Sequence, residues 1–442
     1  MNILIIGSGA REHAITKALA CSPRQVQLFC LGTQINPGIK TLTTDYLVDD
    51  ITDPNIAARL AKQWRIDMAI IGPEAPLAAG VADQLQADAI ATIGPKKVLA
   101  QIETSKQFAR DLLEKYNIPA SPAYRAFNTL DGIKAYLELW SQQYVIKADG
   151  LMGGKGVKVF GDHLHSDQQA YDYCKSLIDN KQSLVIEEKL VGPEFSLISF
   201  CDGHNLAHTP AIQDHKRAFV NDDGPNTGGM GSYSDRDHCL PFLSQQDIEQ
   251  AQAFNEATIK ALYQETGEAY VGFLYGGFMA TAQGVKLIEY NARLGDPEAI
   301  NLLGLLDCDF VSVCQAMVAG KLKQTPISFA DQASVCKYLV PNGYPEQAVK
   351  NQLIDISLVK DIDSLYYAAI DERDGKLYQT GSRAIAVLTV ADTISQAEQQ
   401  AEKIVADIKG PLFHRADIGT ATLINKRIEL INTIRKTNYK RL

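Results

Sequence analysis

The first hundred residues alternate short apolar runs with helix-like stretches, and this rhythm constrains the fold more than any other feature of the sequence. The apolar runs at 2–6, 27–31 and 67–71 have the length of strands, and the stretches at 12–20 and 77–86 have the length of helices. Strands that alternate with helices form βαβ units, which build a parallel sheet with helices on both faces. We therefore predict a parallel α/β sheet at the N-terminus.

The later sequence mixes strand-like and helix-like segments in another order and predicts further units. A chain of 442 residues is too long for one hydrophobic core and should divide into roughly two to four packed parts. We expect a multidomain protein of the α/β and α+β classes, with a small mixed domain at the C-terminus. The predicted segments are 1–103, 104–192, 193–325 and 326–442.

Composition and charge exclude several classes of protein. Hydrophobic residues make up 46% of the chain and charged residues 21%, which is ordinary for a globular protein. The formal net charge of −9 argues against general binding to nucleic acid or to anionic membranes. No apolar run approaches the length of a membrane span, and the sequence opens on a strand, without the layout of a signal peptide.

The cysteines indicate a reducing compartment. Eight cysteines are scattered along the chain without a C-x-x-C pair, and the eight histidines show no metal-ligand spacing with them. Cysteines distributed in this way are typical of reduced and mostly buried thiols, and zinc is not expected. We therefore expect a cytoplasmic protein.

The segment 286–298 carries the strongest chemical signal. Polar and apolar residues alternate from 286 to 290, which predicts a half-buried strand. Glu289, Asn291 and Arg293 should then share one face, because successive strand side chains point to opposite faces. Carboxylate and amide oxygens suit a hard divalent cation, and the adjacent guanidinium can hold an anionic group. The pattern therefore predicts chemistry on phosphates.

A glycine-rich turn at 7–13 follows the first strand and precedes a helix, whose free N–H groups make a ready anion site. A dinucleotide site is disfavoured, because Glu12 occupies the place of the third glycine and the second strand ends without an acidic residue. Contact with a phosphate or sugar phosphate and a purely structural turn both stay open. Glu74 lies in a loop where open sheets bind ligands, although it suits a helix N-terminus equally well.

A second glycine-rich segment lies between residues 145 and 157. Its spacing differs from that of a P-loop, because three residues separate Gly150 from Gly154 and Lys155 is followed by glycine. The continuation reads as a strand, so we predict a β-hairpin whose tip can fold over phosphates. Lys147 lies within an apolar strand and would need an anionic partner. The alternative is a plain hairpin with solvated lysines.

Paired acidic residues mark the junction of two later strands. Glu187 and Glu188 end one strand, and Glu194 begins the next. Such a junction could hold a nucleoside, with backbone groups on the base and Glu194 on the ribose hydroxyls. A solvated strand end explains Glu187 and Glu188 equally well.

About twenty residues from 213 to 231 are polar and glycine-rich without clear periodicity. Irregular segments of this length inside a compact domain are usually functional or disordered, and this composition favours an active-site loop. Lys216 is a candidate for phosphate contact. His215 is a candidate acid–base group, or simply a hydrogen-bonded residue.

These segments in this order resemble the ATP-grasp superfamily and, within it, the phosphoribosylamine–glycine ligase family. The segments that match in order and approximate spacing are 7–13, 72–77, 145–157, 213–217, 224–231 and 288–298, and 413–419 is similar to the family's C-terminal signature. The resemblance covers nearly the whole chain. It implies ATP-grasp central domains, with a glycine-rich lid in 104–192 and the metal site in 193–325.

The resemblance also implies a reaction. ATP would phosphorylate glycine to an acyl phosphate, and the amine of 5-phosphoribosylamine would displace the phosphate to give glycinamide ribonucleotide in purine biosynthesis. The implied cofactors are ATP and Mg²⁺ or Mn²⁺, the implied partners are the small-molecule substrates, and we expect a monomer. Catalysis would rest on positioning, charge neutralisation and exclusion of water from the acyl phosphate.

The resemblance assigns roles to individual residues. Those implied to contact ATP are Lys106, Lys147 and Lys155 at the phosphates, Glu187, Glu188 and Leu190 at the adenine, and Glu194 at the ribose. Those implied to face the substrates are Gly9, Ala10, Arg11, Glu12, Glu74 and Asp296. Those implied at the reacting groups are Glu289 and Asn291 as metal ligands, Arg293 at the acyl phosphate and oxyanion, and Asp214 and Lys216 as further catalytic residues.

The chain departs from the family pattern at several places. Ala10 replaces a glycine and Leu294 a phenylalanine. The strand before the metal strand carries no carboxylate, so the metal should rely on phosphate oxygens, Asn291 and waters. The run 367–370 replaces a His-Ala-Gly-Thr sequence, which leaves the contribution of the C-terminal region open, although the sequence at 381–383 is present. A ligase for another acid and an inactive nucleotide-binding protein are the alternative functions.

Overall fold

The N-terminal segment is a five-stranded parallel sheet, which confirms the predicted α/β unit. The structure is a computed structural model and describes residues 1–152 and 156–439. The strands are β1 (Asn2–Ile6), β2 (Gln27–Gly32), β3 (Asp45–Val48), β4 (Met68–Ile71) and β5 (Ala91–Ile93), in the order β3-β2-β1-β4-β5. Ile3 and Ile5 pack in one hydrophobic cluster and Leu4 and Ile6 in another, so both faces of the sheet are covered.

The helices of this segment are α1 (Ala10–Ala20), α2 (Pro37–Leu42), α3 (Pro54–Gln63), α4 (Glu74–Ala79), α5 (Val81–Ala87) and α6 (Lys97–Thr104). Local chemistry sets their starts: Asp53 caps α3 by accepting the N–H of Asn55 at 2.8 Å, and Pro54 opens the helix. The helices α1 and α4 follow the adjacent parallel strands β1 and β4. Their N-termini therefore open on the same edge of the sheet, where such folds bind ligands.

The second segment is an antiparallel sheet with its own hydrophobic core. Its elements are α7 (Lys106–Lys115), β6 (Tyr124–Phe127), α8 (Ile133–Leu139), β7 (Tyr144–Ala148), β8 (Val157–Val159), α9 (Asp167–Asp179) and β9 (Leu184–Glu188), with strand order β6-β9-β7-β8. Val145 pairs with Val159 and Lys147 with Val157, so the glycine-rich segment joins a hairpin rather than a P-loop. Gly153, Gly154 and the predicted phosphate contact Lys155 lie outside the described residues.

The third segment contains a second antiparallel sheet. Its elements are β10 (Glu194–Gly203), β11 (Leu206–His208), β12 (Gln213–Asp214), β13 (Arg217–Phe219), β14 (Asp223–Asn226), β15 (Gly231–Ser234), α10 (Gln245–Thr266), β16 (Tyr270–Thr281), β17 (Gly284–Asn291), α11 (Glu298–Leu305) and α12 (Phe310–Val318). The main sheet has the order β11-β10-β16-β17, and α10 packs on it. Short 3-10 helices lie at Val220–Asp222 and Leu322–Gln324.

Two expectations for this segment were wrong in detail. The stretch 213–231 is not an irregular loop, because β12 pairs with β15 and β13 with β14. The strand β17 ends at Asn291, so Arg293 is not on it. A bulge also interrupts β17, since Glu289 pairs with Gly277 and Leu287 with the next residue. Glu289 and Asn291 still share a face, but the position of Arg293 is set by the turn that follows.

The C-terminal segment continues a sheet that begins earlier in the chain. Its elements are β18 (Ala333–Pro341), β19 (Leu353–Ile354), a 3-10 helix (Ile362–Ser364), β20 (Leu365–Tyr367), β21 (Ile370–Arg373), β22 (Lys376–Gln379), β23 (Ile385–Ala391), α13 (Ile394–Asp407), β24 (Leu412–Phe413) and α14 (Ala421–Tyr439). The sheet order is β12-β15-β18-β23-β20, with β24 also on β18. The pairing of β15 with β18 therefore joins the third and fourth segments within one sheet.

Two further features of the fold concern the length of its apolar helices and the state of its cysteines. Within residues 1–152 and 156–439, no helix combines the length and apolar character of a membrane span. All eight cysteines are free thiols, in agreement with the interpretation of their spacing. The five buried ones are Cys30, Cys174, Cys201, Cys314 and Cys336.

Candidate active site

The glycine turn after β1 is closed by its own side chains. The Glu12 carboxylate accepts the N–H of Gly9 at 2.6 Å and pairs with Arg11 Nε at 2.6 Å. Arg11 also donates to the carbonyl oxygen of Leu294 at 3.1 Å. A Cβ at Gly72 would lie 2.1 Å from Glu12 Oε1, so glycine is needed there. The turn is thereby tied to the segment that follows β17.

The predicted substrate contacts in this turn are therefore of two kinds. Ala10, Arg11 and Glu12 are buried, and the charges of Arg11 and Glu12 are used within the protein. Gly9 is half-buried at the N-terminus of α1, where backbone N–H groups favour an anion. The geometry therefore favours backbone contacts with a ligand rather than contacts by these side chains.

Arg293 lies between two carboxylates. Its Nε is 3.4 Å from Glu74 Oε2, and its Nη2 is 3.1 Å from Glu103 Oε1. The N–H of Ala292 donates to Glu103 Oε2 at 2.7 Å. Burial opposes the charge of Arg293, but Glu103 and Glu74 raise its pKa above the usual value, so the guanidinium stays charged. Glu103 was missed by the sequence analysis, because no motif marks it.

Glu289 and Lys216 face each other across the site, with Lys216 Nζ 3.1 Å from Glu289 Oε1. Each side chain is about one-third exposed, at 34% and 33%, so both can be reached from outside. The Lys216 cation holds the pKa of Glu289 at about 2, and Glu289 in turn raises the pKa of Lys216. Glu289 is therefore an anionic oxygen donor at any physiological pH.

The donors at the end of β17 fit a hard divalent cation. Glu289 offers a carboxylate and Asn291 an amide oxygen, two residues apart on the same face of the strand. The described residues contain no group of three or more His, Cys, Asp or Glu side chains arranged for a metal. Further ligands would therefore have to come from nucleotide phosphates and water.

Lys147 and Arg110 converge on one buried carboxylate. Glu187 accepts two bonds from Arg110, at 2.8 and 3.1 Å, and lies 2.7 Å from Lys147 Nζ. Lys147 also donates to the carbonyl oxygen of Ile288 at 2.8 Å. Burial would raise the pKa of Glu187, but the two cations lower it. The carboxylate of Glu187 thus orients the two cations, and its role at the adenine stays a prediction.

Lys106 is positioned by the N-terminus of α7. Ser105 caps this helix by accepting the N–H of Phe108 at 3.1 Å, and the Asp149 carboxylate accepts the N–H of Lys106 at 2.5 Å. The side chain of Lys106 donates to the carbonyl oxygen of Gly150 at 2.8 Å. Lys106 therefore lies at the base of the glycine-rich hairpin, as a phosphate contact requires.

The remaining residues that are predicted to bind the nucleotide lie along the junction of β9 and β10. Glu188 ends β9 as a half-buried residue, and Leu190 follows it, also half-buried. Glu194 begins β10 and lines a small cavity together with Asp214 and Lys216. The structure thus brings the residue predicted at the ribose close to two residues predicted at the reacting groups.

The half-buried Asp214 of this cavity interacts with a second carboxylate, the buried Glu298. Burial and the neighbouring Glu298 raise the pKa of Asp214 well above its usual value, and burial raises the pKa of Glu298. Glu298 is 2% exposed, and its Oε1 has no hydrogen-bond partner in the part of the chain that the structure describes. Lys216 partly offsets the repulsion. Asp214 therefore takes up a proton more readily than an ordinary aspartate.

The C-terminal segment supplies a cation to the site. Arg383 Nη2 donates to Asp296 Oδ2 at 2.9 Å, and Arg383 Nη1 donates to the carbonyl oxygen of Gly228 at 2.6 Å. The hydroxyl of Tyr338 donates to Asp296 Oδ1 at 2.6 Å. The contribution of this region, which the sequence left open, is thus an arginine that fixes Asp296 and the glycine-rich stretch before β15.

His215 does not fit an acid–base role. Its side chain is 2% exposed, and neither ring nitrogen has a hydrogen-bond partner among the described residues. Burial and the nearby Arg415 lower its pKa to about 3, so the ring is neutral at physiological pH. It packs against Tyr233, with ring centroids 5.7 Å apart. His215 is therefore a packing residue between two catalytic candidates, rather than either of the roles expected.

The parallel N-terminal sheet, the two antiparallel sheets and the cluster of lysines and acidic residues between them define a protein of the ATP-grasp class. Family models for phosphoribosylglycinamide synthetase match its N domain at residues 1–103, its ATP-grasp (A) domain at 104–299 and its C domain at 334–421. The chain therefore belongs to the phosphoribosylamine–glycine ligase family.

Individual relatives agree with this assignment. The phosphoribosylamine–glycine ligase of Methanobrevibacter smithii is 46% identical over 441 residues, covering 98% of this chain and 100% of the relative. That of Methanosarcina acetivorans is 47% identical over 437 residues, with 98% of each covered. The crystal structure of the Thermotoga maritima phosphoribosylamine–glycine ligase has a TM-score of 0.81 at 28% identity, covering 95% of this chain and 100% of that one.

A more distant structure shares the fold alone. The biotin carboxylase domain of Hydrogenobacter thermophilus 2-oxoglutarate carboxylase, solved with MgADP, ADP and bicarbonate, has a TM-score of 0.70 at 14% identity. The alignment covers 98% of this chain and 93% of that one. The arrangement of sheets is thus shared by two proteins whose sequences differ at most positions.

Proposed function

We propose that this chain catalyses the ATP-dependent ligation of glycine to 5-phosphoribosylamine, which yields glycinamide ribonucleotide, ADP and phosphate in purine biosynthesis. The full-length relationship to phosphoribosylamine–glycine ligases is the observation that carries the proposal. The cluster around β17 supports it, because Glu289, Asn291 and Arg293 supply what phosphoryl transfer to a carboxylate needs.

Binding of ATP would use the cations and the strand junction described above. Lys106 and Lys147 lie at the glycine-rich hairpin and would meet the phosphates, together with Lys155. Glu187 and the segment to Leu190 would line the adenine, and Glu194 would accept hydrogen bonds from the ribose. Phosphate oxygens would also replace the carboxylate as the partner of Lys216.

Glu289 and Asn291 would hold the divalent cation, Mg²⁺ or Mn²⁺. When bound, such a cation neutralises charge on the nucleotide phosphates and favours transfer of the terminal phosphoryl group. Both side chains belong to a strand of the central sheet, so they are held more rigidly than loop residues would be.

The chemistry would proceed in two steps. A carboxylate oxygen of glycine attacks the terminal phosphorus of ATP, ADP leaves, and glycyl phosphate forms. The amine of phosphoribosylamine then attacks the glycyl carbonyl carbon, the oxyanion collapses and phosphate leaves. Arg293 would stabilise negative charge in both steps. Asp214, with its raised pKa, would accept the proton that the attacking amine loses.

We further propose the setting in which this reaction occurs. The four chain segments 1–103, 104–192, 193–325 and 326–442 would serve, in order, as the substrate domain, the lid subdomain, the catalytic subdomain and a mixed C-terminal domain. The protein would act as a cytoplasmic monomer. Small-angle scattering of the purified chain with and without ATP measures the oligomeric state directly.

The decisive experiment measures ADP formation by the purified chain with ATP, Mg²⁺ and phosphoribosylamine generated in the assay. We expect ADP release that depends on glycine and on phosphoribosylamine together. Faster turnover with another carboxylic acid would identify a different ATP-grasp ligase. Binding of ATP without turnover of any acid would identify a nucleotide-binding protein instead.

A further inference from the structure

One carboxylate contacts three consecutive residues of the site. Glu103 accepts the N–H of Ala292 at 2.7 Å and lies 3.1 Å from Arg293 Nη2. The amide of Asn291, oriented so that both its nitrogen and its oxygen meet suitable partners, donates to Glu103 Oε1 at 3.0 Å and to the carbonyl oxygen of Tyr290 at 3.2 Å. The Glu103 side chain is 6% exposed.

The position of Glu103 decides which way the Asn291 amide points. The Glu103 oxygens meet the N–H of Ala292 and the guanidinium of Arg293 and therefore act as acceptors, whereas an amide has one donating and one accepting end. If the amide were reversed, its oxygen would meet the carboxylate oxygen without a proton between them. Glu103 therefore turns the amide nitrogen toward itself and the amide oxygen away from the carboxylate, the orientation in which that oxygen can bind a cation.

Glu103 also sets the place of Arg293, although it is distant in sequence. It lies in the last turn of α6, and its neighbour Ile102 is packed in the hydrophobic core that includes the N-terminal sheet. Since Arg293 lies past the end of β17, the strand alone does not fix it. The core of the N-terminal segment thus sets the geometry at the end of the metal strand.

We propose that Glu103 is a positioning residue that orients Asn291 toward the divalent cation and Arg293 toward the reacting phosphate. This inference rests on the proposed function, because only a metal-assisted phosphoryl transfer needs both groups. The Coulombic pairing with Arg293 alone would not require the third contact to Asn291. That contact makes Glu103 part of the metal site rather than an ordinary ion-pair partner.

The first test replaces Glu103 by glutamine and measures Mn²⁺ binding in the presence of ADP by electron paramagnetic resonance. We expect affinity for Mn²⁺ to fall by roughly tenfold to a hundredfold, as for other residues that orient metal ligands. Affinity for ADP without metal should be unchanged. The matched control is Glu268→Gln, which removes a partly exposed ion pair to Lys96 and should leave Mn²⁺ binding unaltered. Wild-type Mn²⁺ affinity in folded Glu103→Gln protein would overturn the proposal.

A second variant keeps the proposal testable if Glu103→Gln does not fold. Glu103→Asp keeps the negative charge that pairs with Arg293 but shortens the side chain by one methylene, which withdraws its oxygens from the Asn291 amide. We expect this variant to fold and to bind Mn²⁺ more weakly than the wild type, with unchanged affinity for ADP in the absence of metal. Wild-type Mn²⁺ affinity in folded Glu103→Asp protein would refute the role of Glu103.

Failure of this inference is distinguishable from failure of the proposed function. The Mn²⁺ measurement needs no glycine and no phosphoribosylamine, so it reads the metal site whatever acid the enzyme uses. If the wild type binds Mn²⁺ with ADP but shows no glycine-dependent ADP release, the substrate assignment is wrong and the role of Glu103 stands.

Discussion

At the scale of single residues, the site contains two carboxyl groups whose pKa values are shifted in opposite directions. Lys216 holds the pKa of Glu289 at about 2, whereas burial and Glu298 raise the pKa of Asp214. Carboxyl groups separated in this way can divide the work of a reaction, one staying anionic and the other taking up a proton. Lys216 influences the pKa of both carboxyl groups, since it pairs with Glu289 and lies near Asp214.

We predict that Glu289→Gln lowers kcat of the glycine-dependent reaction by roughly 100-fold or more, the scale found for loss of one electrostatic stabiliser. The amide keeps the shape of the side chain but removes the charge that would hold the cation. Because the residue is one-third exposed, the melting temperature should change little. Steady-state kinetics and thermal unfolding of the same preparation check both statements, and unchanged activity would remove Glu289 from the metal site.

We predict that Asp214→Asn stabilises the fold at neutral and alkaline pH while it abolishes most activity. A carboxyl group whose folded-state pKa is raised binds its proton more tightly when folded, so stability falls as pH rises from the ordinary aspartate range through the folded value. The asparagine variant escapes this loss. Its melting temperature should therefore exceed that of the wild type by a margin that grows with pH, measured in buffers from acid to alkaline.

The matched control is Asp296→Asn in the same site. Asp296 pairs with Arg383 at 2.9 Å and accepts the Tyr338 hydroxyl, so losing its charge removes the anionic partner of a half-buried cation, which keeps only backbone carbonyl partners. This variant should be destabilised where Asp214→Asn is stabilised. Equal changes of the melting temperature in the two variants would show that burial of Asp214 carries no electrostatic cost.

At the scale of elements, the sequence located strands better than helices. Strand β1 has the bounds that its apolar run predicts, and β2 and β4 each differ from the predicted run by one residue, because glycine follows or ends each run. Helix α10 was not predicted, since its apolar residues are diluted by glutamine, glutamate and asparagine. Its signal was the capping box of Ser244 and Asp247, whose side chains satisfy each other's backbone N–H groups. Helix α14 was also not predicted, because the periodicity of its apolar residues is weak.

These two missed helices are joined by one ion pair, which gives a prediction at this scale. Arg435 of α14 donates two bonds to Asp247 of α10, at 2.6 and 3.1 Å. Arg435→Ala should lower the free energy of unfolding by about 1–2 kcal/mol, the range for partly exposed charge-assisted bonds. Hydrogen exchange should rise in α14 and at the start of α10. Lys436→Ala, on the same helix, is the control and should change neither quantity.

At the scale of the whole molecule, fold class and reaction class could be predicted from local patterns, but the charge network could not. Glu103 and Ala292 are 189 residues apart in the chain, and Arg383 and Asp296 are 87 apart. Nothing near Glu103, Arg110 or Arg383 in the sequence marks a partner at such distances. These contacts arise only when separately predicted units pack together, so sequence patterns predict candidate ligands but not the residues that orient them.

The shared sheet gives a prediction for the molecule as a whole. Strand β15 pairs with β18 over four residue pairs across the boundary expected at 325/326. A fragment that ends at residue 325 would expose β15 and the apolar face that α11 turns toward β18. We expect this fragment to be insoluble or unfolded, and the full chain to unfold in urea with β15 and β18 in one transition. A soluble fragment with native circular dichroism would contradict this.

The same sheet determines when during synthesis the enzyme can begin to work. The ribosome releases Asp214 and Lys216 long before β18, which lies beside β15, and before Arg415, which pairs with Asp222 in the segment between β13 and β14. A nascent or prematurely terminated chain thus has Asp214 and Lys216 without the framework that aligns them. We therefore expect incomplete chains that end before β18 to show no hydrolysis of ATP.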